Sequence, residues 1–291
     1  MLEVLLTVSS AYVLKKRGIF SEEHSKVLVN YVLYFALPLL SFKISYKMGM
    51  SGEVLAVATG AWLVIALSLF VSYIFGKLLK LDRANLKTLI VISSFGNTAF
   101  LGYPYSYTYF GEAGLRYAVI YDNIGSFFMV SSIAPLILSG RIEIKSVLLF
   151  PPFLGLVLGF MLKGYHIPEF LWKFINFSAA SLLPVILFSL GLSLELSRIL
   201  KEGRLLTVAI FTKMLISPAL ALFVLKLLPL NSTAYKVSVL ESAMPTMIYA
   251  SVLVLKYGLN HNLAFASAGL GIILSFLTVP FWVYVLEVLP F

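Results

Sequence analysis

The sequence contains no cysteine and no glutamine, and it has little charge: only 12% of its 291 residues are Asp, Glu, Lys or Arg. Without cysteine the chain cannot form disulfides, thiolate metal sites or cysteine nucleophiles. With so few charges it cannot cover the surface of a soluble domain of this length. Apolar residues make up 60% of the chain and recur in runs of about 20, the length that crosses a bilayer. The sequence therefore predicts a polytopic membrane protein with no appended soluble domain.

Charged or glycine-rich breaks divide the apolar sequence into ten segments. The first segment lacks a positively charged start and precedes the KKR at 15–17, which predicts a retained helix and not a cleaved signal peptide. We therefore predict an all-α protein with ten transmembrane helices. Their approximate bounds are 1–14, 25–45, 54–79, 86–110, 114–138, 146–163, 169–194, 204–227, 234–256 and 262–286.

The lysines and arginines are unequally divided between the two sides of the predicted bundle. Fourteen lie on one side and seven on the other, and Lys213 is the remaining one of the 22. By the positive-inside rule the richer side is cytoplasmic, which places both termini outside. We predict a multi-pass protein of the cell membrane. The net charge of +9 follows from this topology and requires no nucleic-acid partner.

Four prolines are spaced as in an internal repeat. Pro38 in helix 2 precedes Pro184 in helix 7 by 146 residues, and Pro104 in helix 4 precedes Pro245 in helix 9 by 141 residues. These offsets are close to half the chain, which predicts two five-helix repeats. Because five is odd, the second repeat must be inverted in the membrane relative to the first.

The two predicted repeats are residues 1–139 and 140–291. Inverted repeats with interrupted helices at matching positions are typical of secondary transporters. The interruptions are GNTAFLGYP at 96–104 in helix 4 and SAMPT at 242–246 in helix 9. In hydrocarbon, backbone groups freed by Pro or Gly need other partners, so such breaks persist where they are buried in protein or line a wet cavity.

We predict that helices 4 and 9 cross near the midplane, with the positive N-terminal ends of their half-helices at a shared site. Ordinary proline kinks are the alternative. Small residues at the breaks allow close approach, and polar ones supply hydrogen bonds at that depth. The predicted substrate-binding residues are Asn97, Thr98, Gly102, Pro104, Pro245, Thr246 and Lys213.

Three ionisable residues fall inside predicted helices: Asp122 in helix 5, Lys213 in helix 8 and Glu241 in helix 9. Each costs about 2.5 to 3.5 kcal/mol at the centre of a membrane helix, so each is a functional candidate. We predict that Lys213 attracts an anion, while Asp122, Glu241 and the adjacent Asn123 carry a proton or relay charge. A static ion pair between Lys213 and a carboxylate is the alternative.

A resemblance to a known family is carried by four stretches of the sequence. In chain order they are KKRGIFSEEHSKVLVNYVLYFALPLLSF, NTAFLGYP, LLPVILFSLGLSL and AMPTMIYASVLVLKYG. The chain resembles a prokaryotic member of the auxin efflux carrier family, which is similar in fold to the bile acid sodium symporters. The resemblance implies a scaffold set of helices 1, 2, 6 and 7, a transport set of helices 3–5 and 8–10, and frequent dimerisation. The long cytoplasmic loop of the plant exporters is absent here, so neither auxin as substrate nor regulation through that loop carries over.

These features together predict a secondary carrier for a small organic anion, with a carboxylate as the favoured substrate, working by alternating access and needing no cofactor or metal. A sodium-coupled organic-anion symporter is the alternative, in which Asn97, Thr98, Glu241 and freed carbonyls would coordinate the cation. An enzyme is not predicted, because the GMSG at 49–52 falls in a loop, the three histidines lie at helix ends and no HExxH is present. A channel is not excluded by the sequence. A GxxxG at 155–159 is open to helix packing or to a homodimer contact.

Overall fold

The computed structural model describes residues 1–142, 145, 148–194 and 203–289. Helices dominate this part of the chain. The helical stretch Thr98–Ser139 is interrupted at Gly111, whose φ of +63° lies in the left-handed region; we call residues 98–110 α5 and residues 112–139 α6. The other helices are α1 (Leu2–Lys16), α2 (Glu22–Met48), α3 (Gly52–Leu78), α4 (Arg83–Ser94), α7 (Pro151–Met161), α8 (Glu169–Ser193), α9 (Arg204–Leu227), α10 (Ser232–Ser242), α11 (Ile248–Lys256) and α12 (His261–Val288).

Six helical stretches in the described ranges are long and apolar enough to cross a membrane. They are α2, α3, the stretch that joins α5 and α6, α8, α9 and α12. The prediction of an all-α protein is confirmed, and several membrane passages are supported. The arrangement as ten helices in two inverted repeats stays a prediction.

Polar residues placed just outside the apolar runs begin several helices. Asp82 caps α4 by accepting the backbone N–H of Ala84 over 2.9 Å, and Asn231 and Asn260 cap α10 and α12 in the same way. Such caps satisfy N–H groups that have no partner inside the helix. Gly140, with φ of +79°, ends α6 in the left-handed conformation that favours glycine.

The predicted fourth and ninth segments are each split into two helices. The first break separates α4 from α5, and the second, at residues 243–247, separates α10 from α11. The first break is shorter than the predicted 96–104. It covers only residues 95–97 and does not include Pro104. Pro104 continues α5 directly after a π-helical turn at residues 98–102. The helix thus continues through Pro104, and the break lies before it.

Four helices, α1, α2, α7 and α8, pack on one another and form what we call the four-helix group. The glycines of the GxxxG hold α7 against α2: a Cβ at Gly155 would lie 2.3 Å from the carbonyl oxygen of Pro38, and one at Gly159 would lie 2.5 Å from that of Phe42. Both glycines therefore serve helix packing inside the chain, and a homodimer stays a prediction.

The remaining helices, α3 to α6 and α9 to α12, form the eight-helix group. In it α3 packs against α4, α6 and α9, and α12 packs against α9 and α11. Buried serines join α3 to α9, where Ser68 donates to the hydroxyl of Ser217 over 3.0 Å. Each group draws helices from both halves of the chain. The assignment of scaffold and transport roles to such groups stays a prediction.

Replacing Gly155 by Ala is expected to lower the midpoint of thermal unfolding, because the added methyl would overlap the backbone of α2 and overpacking costs about 1–3 kcal/mol. Gly269→Ala in α12 is the matched control, since a Cβ there meets nothing within 4 Å and alanine favours a helix over glycine. Thermal melts of the two purified variants in detergent test this. Equal midpoints would show that α7 does not need this close approach.

Candidate functional site

The two broken helices meet at their breaks. Gly96 and Thr246 form an antiparallel bridge between the two chain segments. The backbone N–H of Asn97 donates to the carbonyl of Pro245 over 2.7 Å, and a reciprocal backbone bond of 2.9 Å lies on the far side of the bridge. A helix break leaves such groups without partners. Here the two breaks satisfy each other, which is the physical reason that they lie side by side.

Two side chains bond the carbonyl groups at the C-terminal ends of α4 and α10. The ammonium of Lys213 donates to the carbonyl of Ser242 over 2.5 Å. The hydroxyl of Thr246 donates to the carbonyl of Ile92 over 2.8 Å and lies 2.7 Å from the hydroxyl of Ser267. A cation is favourable at the negative end of a helix. Lys213 and Thr246, both predicted to bind substrate, therefore hold the crossing together.

Lys213 does not form the ion pair given above as the alternative. Its side chain is only 2% exposed, and no carboxylate in the described part of the chain lies within 4.0 Å of its ammonium. The crossing makes room for it at Gly96, where a Cβ would lie 3.0 Å from the Cε of Lys213. The buried charge is thus stabilised by a helix end and not by a direct carboxylate contact.

A cavity of about 390 Å³ adjoins the crossing on the side of the N-terminal ends of α5 and α11. Asn97, Ala99 and Phe100 line it from α5, and Ile248 and Tyr249 line it from α11. The first N–H groups of a helix have no partner within it and carry partial positive charge. Two positive helix ends therefore contribute to one cavity.

Asn97 brings a hydrogen-bond donor without a partner to this cavity. Its side chain is 2% exposed, and its amide nitrogen Nδ2 has no hydrogen-bond partner. Leaving a buried donor unsatisfied costs about 1–3 kcal/mol, which a bound acceptor would relieve. Of the predicted substrate-binding residues, only Asn97 is among the described residues that line the cavity, and its amide nitrogen is buried without a partner.

Asp122 lies in the wall of the same cavity, with both carboxylate oxygens bonded. Oδ1 accepts from the hydroxyl of Thr98 over 2.5 Å, and Oδ2 accepts from the hydroxyl of Tyr103 over 2.9 Å. Asn123 donates to the same Tyr103 oxygen over 3.2 Å and to the carbonyl of Val119 over 3.0 Å. The Thr98 hydroxyl is therefore committed to Asp122. Tyr103 was not predicted as a site residue; its signal in the sequence is its place six residues beyond the break, within GYP.

Glu241 lies on α10 against α5 and does not line the cavity. Its Oε1 accepts from the hydroxyl of Ser106 over 2.8 Å, and its Oε2 has no partner. A Cβ at Gly102 would lie 1.9 Å from this Oε2, so the glycine allows the carboxylate to approach α5. Pro104 and Pro245 are likewise outside the cavity wall.

Apart from Ser193, the remainder of the cavity wall is apolar and aromatic. Its aromatic members beside Phe100 and Tyr249 are Tyr34, Phe127 and Phe150, and the rings of Phe127 and Phe150 stack with centroids 3.5 Å apart. No lysine or arginine is among the described residues that line it. These residues could not be predicted, because the position of an aromatic residue in an apolar helix does not reveal which way its side chain faces.

A second cavity, of about 500 Å³, continues from the first toward one end of the bundle. The two share Val29, Ser193, Ile248 and Val252 as lining residues, and the second extends to Lys26 near the start of α2. The two cavities therefore adjoin, and the second lies toward the end at which α2 begins. By the charge distribution this end is the predicted cytoplasmic one.

The chain is similar to known membrane transport proteins. Residues 1–145 and 136–283 each match the protein family described as membrane transport protein. An uncharacterized transporter of Methanocaldococcus jannaschii is 33% identical over 298 residues, which cover 97% of this chain and 96% of the relative. An uncharacterized transporter of Methanothermobacter thermautotrophicus is 29% identical over 294 residues, which cover 98% and 97% of the two chains.

Proposed function

Because this chain belongs to the auxin efflux carrier family of membrane transport proteins, we propose that it is a secondary transporter that moves a small organic anion by alternating access at the crossing of its broken helices. The family and its relatives support transport as the general function. The substrate class, the mechanism and the site residues are our proposal.

The observation that carries the proposal is the unpartnered amide of Asn97 in a cavity bounded by two helix N-termini. Both features favour a ligand that is negatively charged and accepts hydrogen bonds. A carboxylate fits this description. Placing the group at the crossing also places it where interrupted helices bind substrate in transporters with inverted repeats.

The proposed topology is ten helices in two inverted repeats, residues 1–139 and 140–291, with both termini outside the cell membrane. The matching breaks between α4 and α5 and between α10 and α11 support it. In this arrangement the four-helix group is the scaffold and the eight-helix group carries the substrate. The cavity lies between the two groups, since α2 and α8 line it on one side and α5, α6 and α11 on the other.

The lining favours one kind of organic anion. One pole of the cavity offers the Asn97 amide and the helix ends. Apart from Asp122 and Ser193, the rest is aromatic or aliphatic and carries no lysine or arginine in its described part. A second carboxylate on the substrate would be buried there without a partner, which costs several kcal/mol. We therefore expect a monocarboxylate with an apolar body to be preferred over a dicarboxylate.

Asp122 is the proposed coupling group. Two carboxylates in one apolar cavity repel, so a bound anion favours the protonated form of Asp122. Anion and proton would then move together, and loss of the proton would help to release the anion. Asn123 and Tyr103 hold the carboxylate in position through their hydrogen bonds.

Sodium coupling is less well supported by the contacts. The freed carbonyls of Ile92 and Ser242, which could coordinate a cation, accept instead from Thr246 and Lys213. The Thr98 hydroxyl bonds Asp122. A sodium ion would have to compete with these donors.

Flux through purified protein in proteoliposomes tests the proposed function. We expect saturable uptake and counterflow of benzoate, with kcat/KM at least tenfold above that of succinate, and equal rates in sodium and potassium buffers. Absence of saturable flux for every monocarboxylate tried would refute the proposal. Linear flux without counterflow would indicate a channel, and a requirement for sodium would indicate the symporter.

A further inference from the structure

A third cavity, of about 370 Å³, lies near the C-terminal end of α2, opposite to the end at which Lys26 lines the second cavity. Its walls come from both helix groups: Lys43 and Lys47 on α2 and Ala180 on α8 face Glu112 and Arg116 at the start of α6. The left-handed backbone at Gly111 ends α5 there and turns the chain into α6. Lys43 is 17 residues beyond Lys26 on the same helix, which corresponds to about 25 Å along its axis.

Three cations and a single carboxylate surround this cavity. No carboxylate within the described ranges lies within 4.0 Å of the charged nitrogens of Lys43, Lys47 or Arg116. Lys47 contacts the ring of Trp172 at 5.9 Å from its centroid, whereas Lys43 is half-buried and has no hydrogen bond to the described residues. Like charges held in a concave surface raise the local concentration of anions. The excess positive charge of this cavity thus has no ion-pair partner among the described residues.

The cavity lies on the same interface as the crossing site. On α2 the crossing cavity is lined up to Leu37, and the third cavity begins at Leu40. Between them the two helix groups are closed by a buried apolar layer. Members of this layer are Leu37, Leu101, Tyr105, Ile186 and Leu187. Separation of this layer would join the two cavities.

We infer that the third cavity is an anion-binding vestibule, in which Lys43 and Arg116 bind the carboxylate oxygens of the transported anion before it enters the crossing or after it leaves. The inference rests on the proposed function for the identity of the ligand. The phosphate of a lipid headgroup has the same chemistry, so the experiment must separate the two sources.

The lack of cysteine makes the charge of this cavity directly measurable. Ala180→Cys places a single thiol in its wall, where residue 180 is exposed. In detergent free of phospholipid, we expect a sulfonate-bearing thiosulfonate reagent to modify this thiol about tenfold faster than a trimethylammonium-bearing one, after correction for their rates with a free thiol. Adding Lys43→Met and Arg116→Gln should remove the difference. Lys173→Met removes an exposed charge on α8, the helix that carries residue 180, but outside the cavity. This replacement should leave the difference in rate unchanged.

The ligand is identified by which added anion protects the thiol at residue 180 from modification. Benzoate at millimolar concentration is expected to slow the modification in detergent, and anionic phospholipid added to the micelles is expected not to do so. Protection by the lipid alone would overturn the assignment to the transported anion. Equal rates of the two reagents, or a rate ratio that the double replacement does not change, would overturn the vestibule itself.

A transport readout completes the test. Lys43→Met should raise the KM for benzoate about threefold or more on the side of this cavity and leave the KM on the opposite side unchanged. Equal changes on both sides would contradict the vestibule. If the reagents behave as expected but the wild-type protein moves no carboxylate, the proposed function fails while the anion site stands.

Discussion

Replacing Asn97 by Ala is expected to lower benzoate flux at least tenfold, a loss of about 1.4 kcal/mol or more. The amide nitrogen is buried at the cavity wall without a partner, and the walls around it are apolar, so no neighbouring side chain replaces it. Folding should survive, because the backbone bond from residue 97 to Pro245 does not involve the side chain. Initial rates in proteoliposomes with matched amounts of monomeric protein measure the effect.

Asn176→Ala provides the matched control, since that asparagine is exposed on α8 and lies outside the cavity. It should transport at the wild-type rate. Near-normal flux through the Asn97 variant would mean that the break between α4 and α5 only redirects the helix and does not build a binding site.

Replacing Asp122 by Asn is expected to abolish accumulation driven by a pH gradient while exchange of internal for external benzoate continues. If anion binding requires a protonated Asp122, the wild-type KM rises with pH, by up to tenfold per unit once the carboxyl ionises. An amide resembles the protonated carboxyl and cannot ionise, so the variant should keep a low KM at every pH. The other ionisable groups near Asp122 are Tyr103, which donates to it, and Glu241 on α10.

Asp82→Asn is the natural control, because Asp82 is the other aspartate of the chain and asparagine also caps helices. This variant should accumulate benzoate as the wild type does. Gradient-driven accumulation that persists in Asp122→Asn would assign the coupling to a different group, and loss of exchange together with accumulation would show that Asp122 has a structural role.

The breaks could be predicted from composition, whereas the partners of their side chains could not. Gly, Pro and Asn in an apolar run are costly unless the freed backbone finds partners, and the matching positions of the two breaks pointed to each other as partners. The choice of Ser242 by Lys213, or of Ile92 by Thr246, depends on how each helix is rotated about its axis. Such rotation is set by packing between distant segments, which a single sequence does not display.

Pro104 and the GxxxG show two other limits of predicting structure from sequence motifs. A proline inside a helix often kinks or breaks it, but α5 continues through Pro104 beyond the π-helical turn at 98–102. The glycines at 155 and 159 predicted close helix packing, as found, but the sequence could not say whether the neighbour was α2 or a second chain. Both outcomes depend on what surrounds the residues in space.

The backbone pairing at the crossing also restricts how the protein can move. The bridge between Gly96 and Thr246, together with the bonds at residues 97 and 247, ties α4, α5, α10 and α11 into one body. A change of access that parted these helices would leave several buried N–H and carbonyl groups unpaired, at about 1–3 kcal/mol each. One buried cluster of apolar side chains joins the eight-helix group to α2 and α8, and sliding along it breaks few polar contacts. The wall of the site that carries Asn97 and Asp122 is thus expected to move as part of a rigid unit, whereas the wall formed by α2 and α8 stays with the four-helix group.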